Sequence, residues 1–267
     1  MKGMAGHRSG APRIVIGPAC VLVLLGVSAC GRDAAPTPAR EERKPPVVQA
    51  PSPPAQPEVR ATPSPTQADL LFPHGAGDTW EMDVTAGLDR FRLRLTVSEV
   101  SAEEGVTLFT VRTDRDGKAV QSERYRIDRS GVVRTACGPD GAETIEPPMP
   151  MLKLPFAVGK TWSWAGATVG AGGPEPAKAT FELSGPERVK SGVGDHQAYV
   201  VTQRFTLGGP GGIETLTNTQ WLAPGLGLVR QVMDDGSQRV VSELVGCRVG
   251  GLARGTLAEA PRPPGKG

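Results

Sequence analysis

From Phe91 to Val97 every second residue is apolar: Phe91, Leu93, Leu95 and Val97 are separated by Arg92, Arg94 and Thr96. A period of two sends these side chains to opposite faces of an extended strand, whereas a helix would scatter the apolar set around its axis. The same style recurs. Residues 106–113 are dense in β-formers, Tyr125 and Ile127 alternate with Arg124, Arg126 and Asp128, and residues 199–205, 215–222 and 239–245 follow suit. Turn signals punctuate the runs at Asp116-Gly117, Ser130-Gly131, Asp140-Gly141, Asp235-Gly236 and the glycine-rich loop 208–212. No stretch of ten residues carries a helical period. Turns this short join neighbouring strands directly, so the fold class is all-β and antiparallel.

An internal repeat narrows the architecture. Gly77-Asp78-Thr79-Trp80, preceded by Pro73, reappears as Gly159-Lys160-Thr161-Trp162, preceded by Pro155. A second pair of anchors follows in the same order: Tyr125 with Gly131-Val132-Val133-Arg134, and Trp221 with Gly227-Leu228-Val229-Arg230. Recurrence at this length marks paired supersecondary units. Two tandem β-meander repeats, 69–150 and 151–250, are expected to form one curled sheet, half-barrel or barrel, since a sheet of ten or more strands rarely stays open and flat. The repeated glycine, threonine and tryptophan are read as the tight turn and first packed residue of each meander.

The ends of the chain have another character. A basic start (Lys2, Arg8, Arg13) precedes a mostly apolar run over 14–27 and the small residues Ser28 and Ala29. That is the layout of a secretory signal, and a run of this length is short for a membrane span. Val27-Ser28-Ala29-Cys30 resembles the bacterial lipobox, in which the cysteine is lipidated, typically with palmitate among its acyl chains, and becomes the first mature residue. The resemblance implies a signal peptide over 1–29, an anchor on Cys30 and a place in the bacterial cell envelope. Gly31 stands where an aspartate would favour inner-membrane retention, so the resemblance implies the outer membrane, on its periplasmic side or at the surface. Residues 30–68 are rich in proline and lack hydrophobic periodicity. They read as a disordered, semi-rigid tether whose limiting reach is on the order of 100 Å. Residues 251–267 are likewise expected to be a disordered tail.

The motif around Phe72-Pro73 and Gly77-Asp78-Thr79-Trp80, with Trp221-Leu222-Ala223-Pro224-Gly225-Leu226-Gly227, is similar to one seen in exported bacterial proteins. In outline it also resembles the half-barrel and barrel lipoproteins that handle lipids in the envelope. These motifs are structural, and they bring no catalytic residues with them.

Chemistry has little to work with. A net charge of +2 argues against a dedicated nucleic-acid binder. His74 and His196 both sit at turns, and Phe156 stands near the place of His74 in the second repeat. There is no His-X-X-X-His, Cys-X-X-Cys or Gly-X-Ser-X-Gly pattern, so no enzyme, metal site or cofactor is expected. In an oxidising compartment Cys137 and Cys247 are candidates for a disulfide, worth roughly 4 to 5 kcal/mol in the chain-entropy model; two unpaired buried thiols are the alternative. Arg90, Arg92 and Arg94 share a strand face, and Arg124, Arg126 and Arg134 lie in later strands of the same half. They form a candidate basic patch for anionic headgroups, sugars or an acidic partner, against a solvated face with cross-strand partners among Glu99, Glu123 and Asp128. The expected role is a non-enzymatic, lipid-anchored binding module for an envelope protein or an apolar or lipid ligand. The alternative is a structural or assembly subunit of an envelope complex.

Overall fold

The computed structural model describes residues 67–209 and 212–257, together with two short strands upstream, Val15–Ile16 and Val21–Leu22, that pair with each other. Apart from that ladder, the signal segment, Cys30, most of the tether and residues 258–267 lie outside the described residues.

After a five-residue helix, α1 (Gln67–Leu71), the chain is strand upon strand. The first six are β1 (Thr79–Ala86), β2 (Asp89–Glu103), β3 (Val106–Arg115), β4 (Lys118–Asp128), β5 (Gly131–Cys137) and β6 (Glu143–Lys153). The next six are β7 (Thr161–Gly170), β8 (Gly173–Ser191), β9 (Gly194–Gly209), β10 (Gly212–Ala223), β11 (Gly227–Asp234) and β12 (Arg239–Val249). Each pairs antiparallel with its neighbour in sequence, and β12 returns to pair with β1. The expectation of a curled sheet, half-barrel or barrel resolves as a closed barrel of twelve strands. Closure removes the two unpaired edges that an open sheet of this size would expose.

Alternation decides which side chains fill it. On β1, Trp80, Met82, Val84 and Ala86 are buried; on β2, Leu93, Leu95 and Val97 join them. Phe109, Ile127, Met149, Phe181, Leu183 and Leu244 extend the same core around the wall. The arginines that alternate with the apolar residues of β2 point outward.

Both six-strand runs enter through the same turn. Gly77 and Gly159 have φ of +83° and +84°, a left-handed conformation that glycine adopts at little cost. Gly77 N–H donates to the Val97 carbonyl (2.9 Å) and Val97 N–H returns a bond to the Asp78 carbonyl (2.9 Å). Gly159 N–H donates to Leu183 (2.7 Å) and Leu183 N–H to Lys160 (2.9 Å), the same reciprocal pattern. Trp80 and Trp162 follow, both buried.

The wall is weakest between β6 and β7. Only Thr144, Ile145 and Glu146 pair there, opposite Val169, Thr168 and Ala167. Beyond them β6 carries Pro147, Pro148 and Pro150, and proline has no N–H to give a ladder. The indoles of β7 take over: Trp164 Nε1–H donates to the Pro147 carbonyl and Trp162 Nε1–H to the Pro150 carbonyl, both at 2.8 Å.

Two expectations are corrected. The first concerns the tail: its opening residues are ordered. Gly250 and Gly251, with φ of +56° and +79°, make the two-residue turn that favours a tight hairpin. Beyond them β13 (Leu252–Gly255) pairs with the end of β12. The second concerns the disulfide. Cys247 is a free, buried thiol, so the Cys137–Cys247 bridge is not formed. Cys137 lies on β5 and Cys247 on β12, with β1 to β4 between them on the shorter way round the wall. At about 4.8 Å per strand this is roughly 24 Å along the sheet, whereas a disulfide needs Cα atoms within about 7 Å.

Candidate functional site

A partly open, apolar pocket of about 80 Å³ lies inside the barrel at the end covered by α1. Leu71, Phe72 and Pro73 form its lip. Its walls come from Trp80 on β1, Leu95 on β2, Phe109 and Val111 on β3, Glu123 and Tyr125 on β4, Gln220 and Leu222 on β10, and Leu228 on β11.

Local structure places the lip. The Leu70 carbonyl accepts from Gly225 N–H (2.7 Å), which ties α1 to the β10–β11 loop. Gly227 is needed there: a Cβ on it would stand 2.9 Å from Pro73 Cδ, and its φ is +76°. Trp80 Nε1–H donates to the Leu226 carbonyl at 2.6 Å, holding the same loop from β1. Aromatic rings line one side: Phe109 and Tyr125 stack with centroids 5.1 Å apart, and Phe72 lies 6.4 Å from Tyr125. His74 stacks on Phe109 at 5.5 Å, and its Nδ1 is 2.9 Å from the Phe72 carbonyl oxygen. It packs the lip.

Two polar groups interrupt this lining. Glu123, 2% exposed, is paired with Arg134, 3% exposed, through an Nη1–Oε1 contact of 2.7 Å. Tyr125 Oη–H donates to the other carboxylate oxygen at 3.0 Å. Burial pushes the Glu123 carboxyl upward in pKa, and the charge and hydrogen bond of Arg134 work against that rise. Burial likewise raises the Tyr125 phenol well above its ordinary value. The second polar group is Gln220, the last member of a buried amide chain described below.

Most residues singled out from sequence lie elsewhere. Arg92, Arg94, Arg124 and Arg126 are on the outer face of β2 and β4. Arg92 pairs with Asp83 at 2.7 Å, Arg94 with the buried Glu81 at 2.7 Å, and Arg126 with Asp128 at 3.0 Å. Three of the four thus stand in ion pairs that offset their charge. His196 sits on β9, away from the pocket, and burial lowers its pKa. Among the described residues no group of three or more His, Cys, Asp or Glu side chains is placed to hold a metal ion.

Arg134 and Glu123 are corrected, since both were expected on a solvated outer face and both lie inside as an ion pair; Gln220 was missed, and for Glu123 one signal was present. On β4 the parity that puts Tyr125 and Ile127 inside puts Gln121 and Glu123 inside as well, so a carboxylate on an apolar face was legible in the alternation.

No protein-family model matches the chain, and no curated protein matches it in sequence. Among solved structures it is similar to a chain classed as a lipoprotein from Parabacteroides distasonis ATCC 8503. The TM-score is 0.41 at 12% identity, over 66% of this chain and 96% of that one. An exported protein with a YmcC-like fold from Bacteroides fragilis NCTC 9343 gives a TM-score of 0.37 at 12% identity, over 66% and 97%. The hypothetical lipoprotein YmcC from Escherichia coli gives 0.31 at 12% identity, over 63% and 83%. Likeness at this distance concerns the course of the chain and assigns no function.

Proposed function

We propose that this chain is a lipid-anchored protein of the bacterial cell envelope that works without catalysis, as a binding module. Its ligand enters the pocket at the α1 end of the barrel. Cys30 supplies the anchor, the proline-rich tether supplies reach, and the outer membrane is the expected address. The pocket itself carries the reading: it is an apolar, part-open space inside the barrel.

Size selects the kind of ligand. Pockets that engulf a small molecule run to roughly 300–1,000 Å³, against about 80 Å³ here. A whole acyl chain does not fit in that space. A single apolar group protruding from a larger partner does, which favours a protein over a carried lipid.

The assembly reading also has an observation behind it. The β2–β3 hairpin runs past the start of β1, so residues 98–103 have no β1 partner on their outer side. It leaves Val100 and Leu108 39% and 47% exposed. A free strand edge of this kind is what strand addition by another protein uses.

Photo-cross-linking of the full chain in intact cells separates the readings. A photoreactive phenylalanine analogue is placed at Phe72, on the lip, or at Leu108, on the hairpin. A partner captured from position 72, and lost when Val111→Trp fills the pocket, supports the module. Capture from position 108 alone moves the function to assembly. An added lipid mass on the intact protein, with no capture from either position, returns it to a carrier. The anchor is tested on its own: Cys30→Ala should abolish labelling by palmitate, and persistent labelling would remove it.

A further inference from the structure

The buried amides of the second half point at the pocket. Gln231 Nε2–H donates to Asn218 Oδ1 (2.9 Å), Asn218 Nδ2–H to Gln203 Oε1 (3.2 Å), and Gln203 Nε2–H to Gln220 Oε1 (3.0 Å). Each amide passes its donor in the same direction, and the chain ends on Gln220 at the pocket wall. With its oxygen engaged, Gln220 presents its NH₂ to the pocket. That group has no acceptor among the described residues, although Gln220 is only 7% exposed. The nitrogen is not among the buried side-chain atoms that lack a partner, so it meets solvent through the open side of the pocket, where an acceptor on a ligand would take the place of water. Electrostatics favour this orientation over the reversed one, because the same pocket is lined by the Glu123 carboxylate.

The same surroundings restrict what the acceptor can be. Glu123 and Arg134 neutralise each other, so the pocket offers no net positive charge to an anion, while an anionic ligand would meet the Glu123 carboxylate. A neutral carbonyl suits the donor. The apolar part must be small: an engineered cavity of about 150 Å³ admits benzene, and this one is about 80 Å³. The terminus of a lipid acyl chain would bring no carbonyl to Gln220, since its ester lies a whole chain away. A peptide carries its carbonyl within a few bonds of every side chain.

We propose that the pocket recognises one short aliphatic side chain of an extended peptide together with the neutral backbone carbonyl beside it, the carbonyl accepting from Gln220 Nε2–H. This rests on the binding-module reading above and names the chemistry of its partner.

The test is methyl NMR on the full chain in a phosphatidylcholine nanodisc, with Leu71, Leu95, Val111 and Leu222 as pocket reporters. The probes are N-acetyl-L-leucine N-methylamide, its glycine counterpart, 2-methylpentane and hexanoate. The leucine amide should move the reporters in a saturable way, and the glycine amide should not. Gln220→Glu keeps an oxygen for Gln203 but removes the donor, and should weaken the leucine amide about tenfold. Gln220→Met serves the same purpose if that variant fails to fold, with Leu183 and Val189 methyls reporting an intact barrel. Equal binding of 2-methylpentane and the leucine amide, or an unchanged affinity in both variants, overturns the carbonyl contact while leaving the pocket reading in place. Reporters moved by hexanoate alone transfer the site to an acyl ligand and overturn the peptide. Reporters moved by nothing overturn this inference, and the cross-link from position 72 then decides the wider reading separately.

Discussion

Arg134→Met removes the cation from an ion pair sealed inside the barrel. Glu123 and Arg134 are 2.7 Å apart and both side chains are almost wholly buried, so neither can turn to water when the other is lost. Breaking such a pair from one side costs about 3–5 kcal/mol, because an uncompensated charge stays behind. For a domain of this size that is a fall in melting temperature of roughly 6–20 °C. The deficit must also depend on pH, with a sign the structure fixes. Burial already raises the Glu123 carboxyl in the folded state, and Arg134 holds that rise down. A raised carboxyl gives its full stabilisation below the ordinary carboxylate range, and loses it as pH climbs through the folded value. Without Arg134 the folded value moves further up. The variant should therefore be closest to the parent at about pH 4, below the ordinary carboxylate value from which Glu123 is raised, and furthest from it at about pH 8. Urea unfolding at the two pH values reads the difference. Glu123→Gln added to Arg134→Met removes the stranded charge while keeping an acceptor for Tyr125, and should recover most of the loss at pH 8. A deficit below about 1 kcal/mol at pH 8, a deficit independent of pH, or no recovery in the double variant would refute the reasoning.

Trp162→Phe and Trp164→Phe keep a smaller aromatic ring but leave the Pro150 and Pro147 carbonyls without their indole donors. Each should cost roughly 1–2 kcal/mol and speed amide exchange along β7 first; exchange that rises evenly over the barrel would argue against a weak seam. Gly77→Ala and Gly159→Ala meet no atom within 4 Å. Only the left-handed backbone resists them, so they should cost alike, about 1–2 kcal/mol in thermal unfolding. Gly131→Ala is another matter, because its Cβ would fall 1.9 Å from the Leu152 carbonyl oxygen; this variant should fail to accumulate as a folded barrel in a solubility assay. The Cys247 thiol, whose pKa is raised by burial, should resist maleimide until urea opens the barrel, as followed by peptide mass spectrometry.

The class of fold was legible because one physical rule generates it: alternation at period two, broken by turn residues, leaves little but antiparallel strands. Closure was not, since whether β12 meets β1 depends on tilt and register summed over the whole sheet, which no local pattern records. The prolines at 147, 148 and 150 mark an interrupted ladder that the sequence reading passed over, and its repair by Trp162 and Trp164 is a long-range contact that no local pattern records. The disulfide expectation failed for the same reason: two cysteines in a closed barrel are neighbours only if their strands are. The basic row at Arg92 and Arg94 could be read from spacing. Its partners Asp83 and Glu81 depend on the β1–β2 register.

That same limit explains why the site takes different groups from two halves that begin alike. Tyr125 and Arg134 are cross-strand partners in the first half, as are Trp221 and Arg230 in the second. The spacing from aromatic to glycine is the same, yet it is divided differently. In the first half three strand steps lead from Tyr125 to Asp128, and the turn to Gly131 holds Arg129 and Ser130. In the second, two steps lead from Trp221 to Ala223, and the loop to Gly227 holds Pro224, Gly225 and Leu226. A bulge at Val229 goes with this shift, because Leu222 pairs with Leu228 while Trp221 pairs with Arg230, and one extra residue turns the following side chain to the opposite face of the sheet. Tyr125 and Arg134 therefore face inward, where Arg134 can hold Glu123. Trp221 and Arg230 face outward, with the guanidinium 5.2 Å from the ring and Trp221 Nε1–H donating to Glu187 at 3.1 Å. Their inward neighbours are Gln220 and Leu222 instead. The pocket thus combines a charged pair from one half with an amide from the other, and a strictly symmetric barrel would have offered neither combination.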